Sequence, residues 1–454
     1  MSIHGRIARR WYMNPDEEGV ATVGSRVGQI PPSRYPRHAM MIAYQAKKVL
    51  PMLAFLLLFS WNFVAWGTTY TVSTSGNNSS CSDIRTIHFG IANCARNPGD
   101  ILDIREGQYP EQLHYFDTGL NWPSGTDFGS GAITIRGHAG ETVVINPTAT
   151  KTPFDVVYGQ NVQYLIFDNL TFDGANLTAG QMWKFDNSHH LRVTNCLFKN
   201  GNLYNAVQAA GPFNEYLNNE VFGMGGYPFY VSGSDNLFAD NYLHDNGGYG
   251  IHLYQSHLDC PTLNCVNRNV VRANLFVRNG CTVAPGDSSG VTAAQIVLGQ
   301  GSGNTAYNNV FRDSCKAGIQ FYAQSVGAQV FFNTIVGSAQ ECFAIDPNAG
   351  SGNRFQNNIC YNNRGGDTGS MPGGQIVDHN WLSSNGNPQF VNLAGGDLHL
   401  TAGSPNAVRN GGIAGTGITV DIENRPRDAT PSLGAYEFSG GLLPPILPIP
   451  PILP

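Results

Sequence analysis

The sequence predicts an all-β solenoid of the parallel β-helix type, and three observations predict it. Charged residues make up only 13% of the 454 residues, whereas Gly (54) and Pro (26), which are poor in helix interiors, are abundant. From about Asn169 onward, short apolar segments separated by Gly and Asn recur at a period near 23 residues. Within each segment apolar positions alternate with variable ones, which is the period of a β-strand.

The first strand of each repeat starts with an Asn, and the residue two positions later is apolar. The Asn residues that begin these units are Asn195, Asn219, Asn241, Asn274, Asn309, Asn333 and Asn358. The apolar column that they predict is Leu197, Val221, Leu243, Phe276, Phe311, Ile335 and Cys360. We expect the Asn residues to stack as a ladder that bonds neighbouring coils. A β-propeller blade needs about 40–45 residues, so this period excludes a propeller; the pattern also differs from that of leucine-rich repeats.

A second strand follows about ten residues later, and its alternation defines two outward columns. The first column is Lys184, Gln208, Tyr230, His252, Val297, Gln320 and Ala344. The second column is Asp186, Ala210, Ser232, Tyr254, Gly299, Tyr322 and Asp346. Coils stack about 4.8 Å apart, so these columns predict one stripe along the axis. Its aromatic and polar side chains suit a sugar chain; the alternative is a solvated sheet face with a stabilising Tyr ladder.

The chain between Ile251 and Ile296 is about twice as long as one coil requires. The surplus falls around residues 255–266 and 282–293. We expect two loops to project there, beside His252 and Tyr254, and loops of this kind commonly carry function on a rigid scaffold.

The N-terminal region differs from the rest. Residues 1–39 read as a non-folding upstream extension, and residues 40–67 as a signal peptide with Lys47 and Lys48 before an apolar core. A membrane anchor is the alternative. Residues 68–438 would form the β-helix domain, and residues 439–454 a Pro-rich extended tail. These features predict a secreted or cell-surface protein that is not stably inserted in a membrane after cleavage.

Nine Cys residues suit an exported protein, in which disulfides are the default. An odd number leaves at least one thiol unpaired, and Cys196 or Cys360 is the candidate. The expected pairs are Cys81 with Cys94, Cys260 with Cys265, and Cys281 with Cys315.

The formal net charge is −6, and it becomes about −11 once residues 1–67, which hold many of the basic side chains, are removed. Such a surface repels nucleic acid. A polyanionic substrate would need a local basic patch or bound Ca²⁺. We expect a monomer whose partner is a polysaccharide.

Two ends of the chain carry recognisable segments. Thr69–Asn77 and Pro98–Tyr109 resemble the N-terminal cap and first coil of pectate-lyase-like β-helix proteins. Leu398–Pro405, Val420–Pro426 and Leu433–Phe438 resemble the ending of secreted bacterial right-handed β-helix repeat proteins. The resemblance implies a right-handed parallel β-helix. The superfamily holds pectate, alginate and chondroitin lyases, polygalacturonases and epimerases, and also members with no known reaction. No family-specific catalytic motif matches this chain, so the resemblance leaves its activity open.

Elimination from a uronate needs a base for the proton alpha to the carboxyl group and a cation that neutralises the carboxylate. His252, Tyr254 and Lys316 are the candidate catalytic residues. Arg278 and Arg312 occupy similar positions on adjacent coils and form, with Lys316, the best local basic patch. An ordinary role at the turn surface is the alternative for each of them. The predicted substrate-binding residues are Lys184, Asp186, Tyr230, Arg278, Arg312 and Tyr322.

A glycosidase would need two carboxylates flanking one bond, and Asp235, Asp240 and Asp245 supply carboxylates at turn positions. Asp240, Asp245 and Asp259 are weak candidates for a Ca²⁺ site, so Ca²⁺ is the one cofactor to consider. The leading hypothesis is an extracellular lyase acting on an acidic glycan along the outer groove. The rival is a non-catalytic glycan-binding or adhesive surface protein.

Overall fold

The computed structural model describes residues 67–148, 155–175, 181–201, 205–254, 266–281, 294–369 and 372–440, which belong to one unit of the chain, Val64–Pro454. In this part of the chain, most coils contribute one short strand to each of three parallel sheets, which have 12, 10 and 9 strands, and the chain then advances to the next coil. The described body is therefore a parallel β-helix, as the repeat predicted.

The strands of sheet 1 are Thr69–Val72, Ile101–Ile104, Ile133–Gly137, Leu165–Asp168, Arg192–Thr194, Glu215–Leu217, Leu237–Ala239, Val270–Arg272, Thr305–Tyr307, Gln329–Phe331, Arg354–Gln356 and Ile376–Asp378. The strands of sheet 2 are Gly107–Tyr109, Val143–Ile145, Thr171–Asp173, Leu197–Lys199, Glu220–Phe222, Tyr242–His244, Leu275–Val277, Val310–Arg312, Thr334–Val336 and Ile359–Tyr361. The strands of sheet 3 are Leu113–His114, Val157–Gln160, Trp183–Asp186, Val207–Ala209, Phe229–Val231, Ile251–Leu253, Ile296–Leu298, Ile319–Phe321 and Phe343–Ile345.

A separate antiparallel pair and a few helical turns complete the described elements. The pair is Phe390–Asn392 with Asp397–Leu400. The helical turns are Ile87–Phe89, Gly90–Cys94, Tyr115–Thr118, Ser383–Asn385 and Asn406–Arg409. No helix in the described part of the chain is long and apolar enough to cross a membrane.

A ladder of buried Asn side chains runs along the start of sheet 2. Each side-chain amide donates to the Oδ1 atom of the Asn one coil further on, at 2.9–3.0 Å. The backbone N–H of the same Asn donates to that Oδ1 as well, at 2.8–3.0 Å. The ladder comprises Asn219, Asn241, Asn274, Asn309, Asn333, Asn358 and Asn380. Buried amides cost free energy unless they are bonded, and here they bond adjacent coils.

The register predicted for the first repeat, which begins at Asn195, was wrong by one residue. Phe198 pairs with Val221, so Phe198, and not Leu197, belongs to the buried apolar column. Cys196 therefore takes the place of a ladder Asn, and its N–H donates to Asn219 Oδ1 at 3.0 Å. Asn195 instead adopts a left-handed turn conformation with φ of 53°. An Asn in a left-handed turn is common, which is why it mimicked the ladder motif.

Disulfides join Cys81 to Cys94 and Cys281 to Cys315, as expected. A further disulfide joins Cys342 to Cys360, which removes Cys360 as a candidate for the unpaired thiol. The expected Cys260–Cys265 pair lies outside the described residues. Cys196 has no disulfide and is buried, and burial raises the pKa of its thiol to about 12.

The C-terminal segment covers the outer face of the last coils of sheet 2. Leu398 and Ala435 are buried in one cluster with Val310 and Val336. The N–H of Ala435 also donates to Thr334 Oγ1 at 2.9 Å. This segment therefore occupies the outer face of those coils of sheet 2.

We expect Asn274→Ala to lower the free energy of unfolding by about 3 kcal/mol, since it leaves the buried amide and N–H of Asn241 without their acceptor. Denaturant titration measures the change. Cys196→Ala, at the ladder position without an amide, is the matched control, and about 1 kcal/mol is expected there. Equal effects of the two substitutions would show that the Asn ladder contributes little stability.

Candidate functional site

The outer face of sheet 3 is the candidate site, and the strand register establishes which side chains share it. The first outward column predicted from the sequence is in register from coil to coil, and it extends by two residues beyond the predicted ones, to Tyr158 and His114. Its members are His114, Tyr158, Lys184, Gln208, Tyr230, His252, Val297, Gln320 and Ala344. The alternate residues of these strands form the core. Outward side chains are thus held about 4.8 Å apart by the same register that buries the core.

Sequence reasoning missed a third column, which lies two residues before the first inward residue of each strand. Backbone hydrogen bonds between coils align its members. They are Asp155, Gln181, Asn205, Tyr227, Tyr249, Ala294, Ala317 and Glu341. The recurrence of Tyr at Tyr227 and Tyr249, 22 residues apart, was the signal that could have revealed this column.

The middle coils carry an aromatic section, which we define as Tyr227, Tyr230, Tyr249, His252, Tyr254 and Tyr322. The His252 ring lies within contact distance of four of these tyrosines, with centroid separations of 5.0 Å to Tyr227, 5.1 Å to Tyr230, 4.6 Å to Tyr249 and 5.0 Å to Tyr254. Tyr322 extends the section through Tyr254 at 5.8 Å. All six side chains are partly exposed.

The preceding coils carry a polar section, which we define as Asp155, Tyr158, Lys184 and Asp186. Lys184 Nζ lies 3.1 Å from Asp186 Oδ1, and Tyr158 Oη donates to Asp186 Oδ2 at 2.7 Å. Asp155 is 7% exposed, and its Oδ1 accepts the N–H of Gln181 at 3.3 Å. Burial raises the pKa of the Asp155 carboxyl to about 6, although the charge of Lys184 acts in the opposite direction.

Aromatic rings border the polar section. Tyr158 stacks on His114 at 4.8 Å and on Phe116 at 5.5 Å. Phe116 is 66% exposed, so a large apolar side chain faces solvent beside the charged groups. Burial lowers the pKa of His114, which favours its neutral form.

The predicted basic patch does not gather on the outer face of sheet 3. Arg278 follows a strand of sheet 2 and binds Asp245 through two hydrogen bonds, at 2.7 and 2.8 Å. Arg312 ends a strand of sheet 2 and lies 3.8 Å from Asp313. Lys316 lies beside Ala317 of the third column, and so at the edge of the face. Burial lowers the pKa of Lys316.

The Ca²⁺ candidates are engaged elsewhere or lie beyond the described chain. Asp245 binds Arg278 and, at 2.7 Å, His244, whereas Asp240 lies 3.7 Å from Arg272. Asp259 lies outside the described residues. Within the described ranges no group of three or more His, Cys, Asp or Glu side chains could hold a metal ion.

We expect Asp155→Asn to stabilise the protein above pH 6 by at most about 3 kcal/mol and to have little effect below pH 4. A carboxyl with a raised pKa binds more protons in the folded state, so its contribution to stability falls as pH rises from about 4 through 6. Thermal unfolding of both proteins across this range measures the difference. A difference that is constant with pH would contradict the raised pKa.

Comparisons with known proteins agree with this architecture. Residues 129–295 match the family model described as the right handed beta helix region. No curated protein sequence matches the chain significantly. Among solved structures, pectate lyase Pel9A has 18% identity and a TM-score of 0.54, over 83% of this chain and 98% of that one.

Two further solved structures are similar at lower TM-scores. A rhamnogalacturonan lyase has 13% identity and a TM-score of 0.49, over 84% of this chain and 97% of that one. An alginate lyase from Paenibacillus sp. str. FPU-7 has 17% identity and a TM-score of 0.45, over 69% and 99%. Identities this low concern the fold alone. The chain thus has the fold of a right-handed parallel β-helix, which the repeat in its sequence predicted.

Proposed function

We propose that this protein is an extracellular polysaccharide-active enzyme that holds an acidic glycan along the outer face of sheet 3 and cleaves it by β-elimination. The observation that supports this most is the succession of the polar and aromatic sections, in register, on one sheet face. From Tyr158 to Gln320 the face spans roughly 30 Å at 4.8 Å a coil. This length suits a chain of several sugar units.

The aromatic section supports sugar binding. Its rings are partly exposed; five lie on two successive coils, and Tyr322 lies two coils after Tyr254. A pyranose presents C–H faces that pack on such rings. A Tyr hydroxyl or a His nitrogen beside each ring can bond sugar hydroxyls. In this proposal His252 and Tyr254 hold the glycan, a role that the ring contacts around His252 favour over proton transfer.

Lysines near both ends of the aromatic section support an acidic glycan. Lys184 lies three coils before His252 in the outward column, and Lys316 precedes the strand of Gln320, two coils after His252. The protein as a whole is acidic, so a polyanion would bind where these cations are fixed. An eliminating enzyme needs such a cation beside the reacting carboxylate.

A non-catalytic glycan-binding protein is the second candidate. The two hydrogen bonds from Arg278 to Asp245 favour this candidate. Arg278 was predicted to bind the substrate carboxylate, and instead its guanidinium group binds a carboxylate of the neighbouring coil. Binding without any turnover would distinguish this candidate from the enzyme.

The cellular setting and the chain boundaries are part of the proposal. Three disulfides within the described residues support export. We propose residues 40–67 as the signal peptide, 68–438 as the mature domain and 439–454 as an extended tail, acting as a monomer. N-terminal sequencing of the exported protein tests this assignment, and a start far from Thr68 would contradict it.

We expect the double substitution His252→Ala and Tyr254→Ala to weaken glycan binding by about a hundredfold, roughly tenfold for each ring removed. Isothermal titration with oligomers of polygalacturonate, alginate or a glycosaminoglycan measures the affinity. Production of unsaturated sugars from the same polymers, followed by ultraviolet absorbance, measures turnover.

Tyr307→Ala is the matched control, since it removes a Tyr from sheet 1. We expect it to leave both measurements unchanged. Wild-type protein that neither binds nor cleaves any of these polymers, with or without Ca²⁺, would disprove the proposed function.

A further inference from the structure

The polar section combines a buried carboxyl group with a fixed ammonium group. Asp155 lies in the third column, and Lys184 lies in the first outward column of the next coil, in register with Tyr158. The N–H of Gln181, three residues before Lys184, donates to Asp155 Oδ1 at 3.3 Å, so the two coils are joined at this carboxyl group. Lys184 is held by Asp186, which also accepts the Tyr158 hydroxyl. An ammonium group has three donors, so Lys184 can bind Asp186 and a sugar carboxylate together.

The two carboxyl groups of the section are in different environments. Asp186 is partly exposed and is bonded by Lys184 and Tyr158, whereas Asp155 is buried. Burial brings the pKa of Asp155 close to 6. A carboxyl group that gains and loses a proton near neutrality is suited to general acid–base catalysis. The role of Asp186 is to position Lys184, whose Nζ lies 3.1 Å from Asp186 Oδ1.

An exposed ring points independently to a ligand at this place. Phe116, 66% exposed, stacks on Tyr158 of the polar section. A solvent-facing phenyl ring beside charged groups is typical of sites that bind sugars.

We propose that the polar section is the catalytic centre, in which Asp155 transfers the proton, Lys184 binds the carboxylate of the reacting sugar and Phe116 supports a neighbouring sugar ring. This assignment rests on the proposed function and adds the position of the reaction. It moves the chemistry three coils, about 14 Å, away from His252.

The reaction balances with these groups alone. The Asp155 carboxylate removes the proton alpha to the sugar carboxylate, whose charge is bound by Lys184. The C–H electron pair forms a carbon–carbon double bond as the bond from the β-carbon to the glycosidic oxygen breaks. The leaving oxygen keeps that bond's electron pair and takes the proton back from Asp155. The products are an unsaturated sugar end and a sugar with a new hydroxyl.

The test compares wild type with Asp155→Asn on whichever polymer the wild type cleaves. We expect the rate of double-bond formation to fall at least about a hundredfold while glycan affinity changes less than threefold, because Asn keeps the shape and cannot take a proton. Wild-type kcat/KM should rise with pH through about 6, where Asp155 loses its proton. We expect Asp155→Glu to keep part of the wild-type rate, with a kcat/KM that still rises with pH, because a carboxyl group remains to take the proton.

Asp235→Asn is the matched control, since Asp235 is paired with Arg268 at the entry to sheet 1 and Asn tolerates its φ of 59°. We expect its rate to equal that of wild type. Lys184→Gln should raise KM for acidic polymers.

The outcomes separate the two proposals. Cleavage that persists in Asp155→Asn, or that is lost only in His252→Ala, would overturn this assignment and leave the proposed function in place. Absence of binding and cleavage in the wild type would overturn both. Unfolding curves of Asp155→Asn verify that a lost rate does not reflect a lost fold.

Discussion

The fold depends on the contact between one coil and the next. No coil of about 23 residues can bury its apolar side chains alone, so each one completes the core of its neighbours. The register that stacks Phe276 on Phe311, with ring centroids 4.7 Å apart, also brings the Asn274 amide to Asn309. A one-residue slip would expose the apolar column and break the amide ladder together. The two interactions therefore specify the same register.

That register also creates the candidate site. Because inward and outward residues alternate, fixing the core of sheet 3 fixes the spacing of Lys184, Tyr230 and His252 on its outer face. Along this face the spacing of the outward side chains is constant, whereas their residue types change from coil to coil. The C-terminal segment packs on the last coils of sheet 2, where Ala435 contacts the coil of Thr334.

The electrostatics divide the outer face of sheet 3 into two parts with different roles. In the polar section, the catalytic centre that we propose combines Asp155, whose pKa is raised by burial, with the ion pair between Lys184 and Asp186. In the aromatic section, tyrosine rings surround His252 and offer a surface for stacking. Binding at the second part and chemistry at the first are compatible, because one extended glycan can reach both.

Three repeating features could be predicted from the sequence: the β-helix, the inward column from Val221 to Cys360, and the outward column of Lys184, Tyr230 and His252. Periodicity reveals these because every coil obeys the same packing constraint. Two disulfides were predicted on other grounds, one as a local cysteine pair and one as a pair on neighbouring coils. Features that depend on single coils required the three-dimensional arrangement. The structure assigned the ladder position to Cys196, paired Cys342 with Cys360, bound Arg278 to Asp245 and joined Asp155 to the coil of Lys184 through the N–H of Gln181. The physical reason is that these contacts join residues of neighbouring coils across turns of variable length, and the distance along the chain does not specify which side chains meet there.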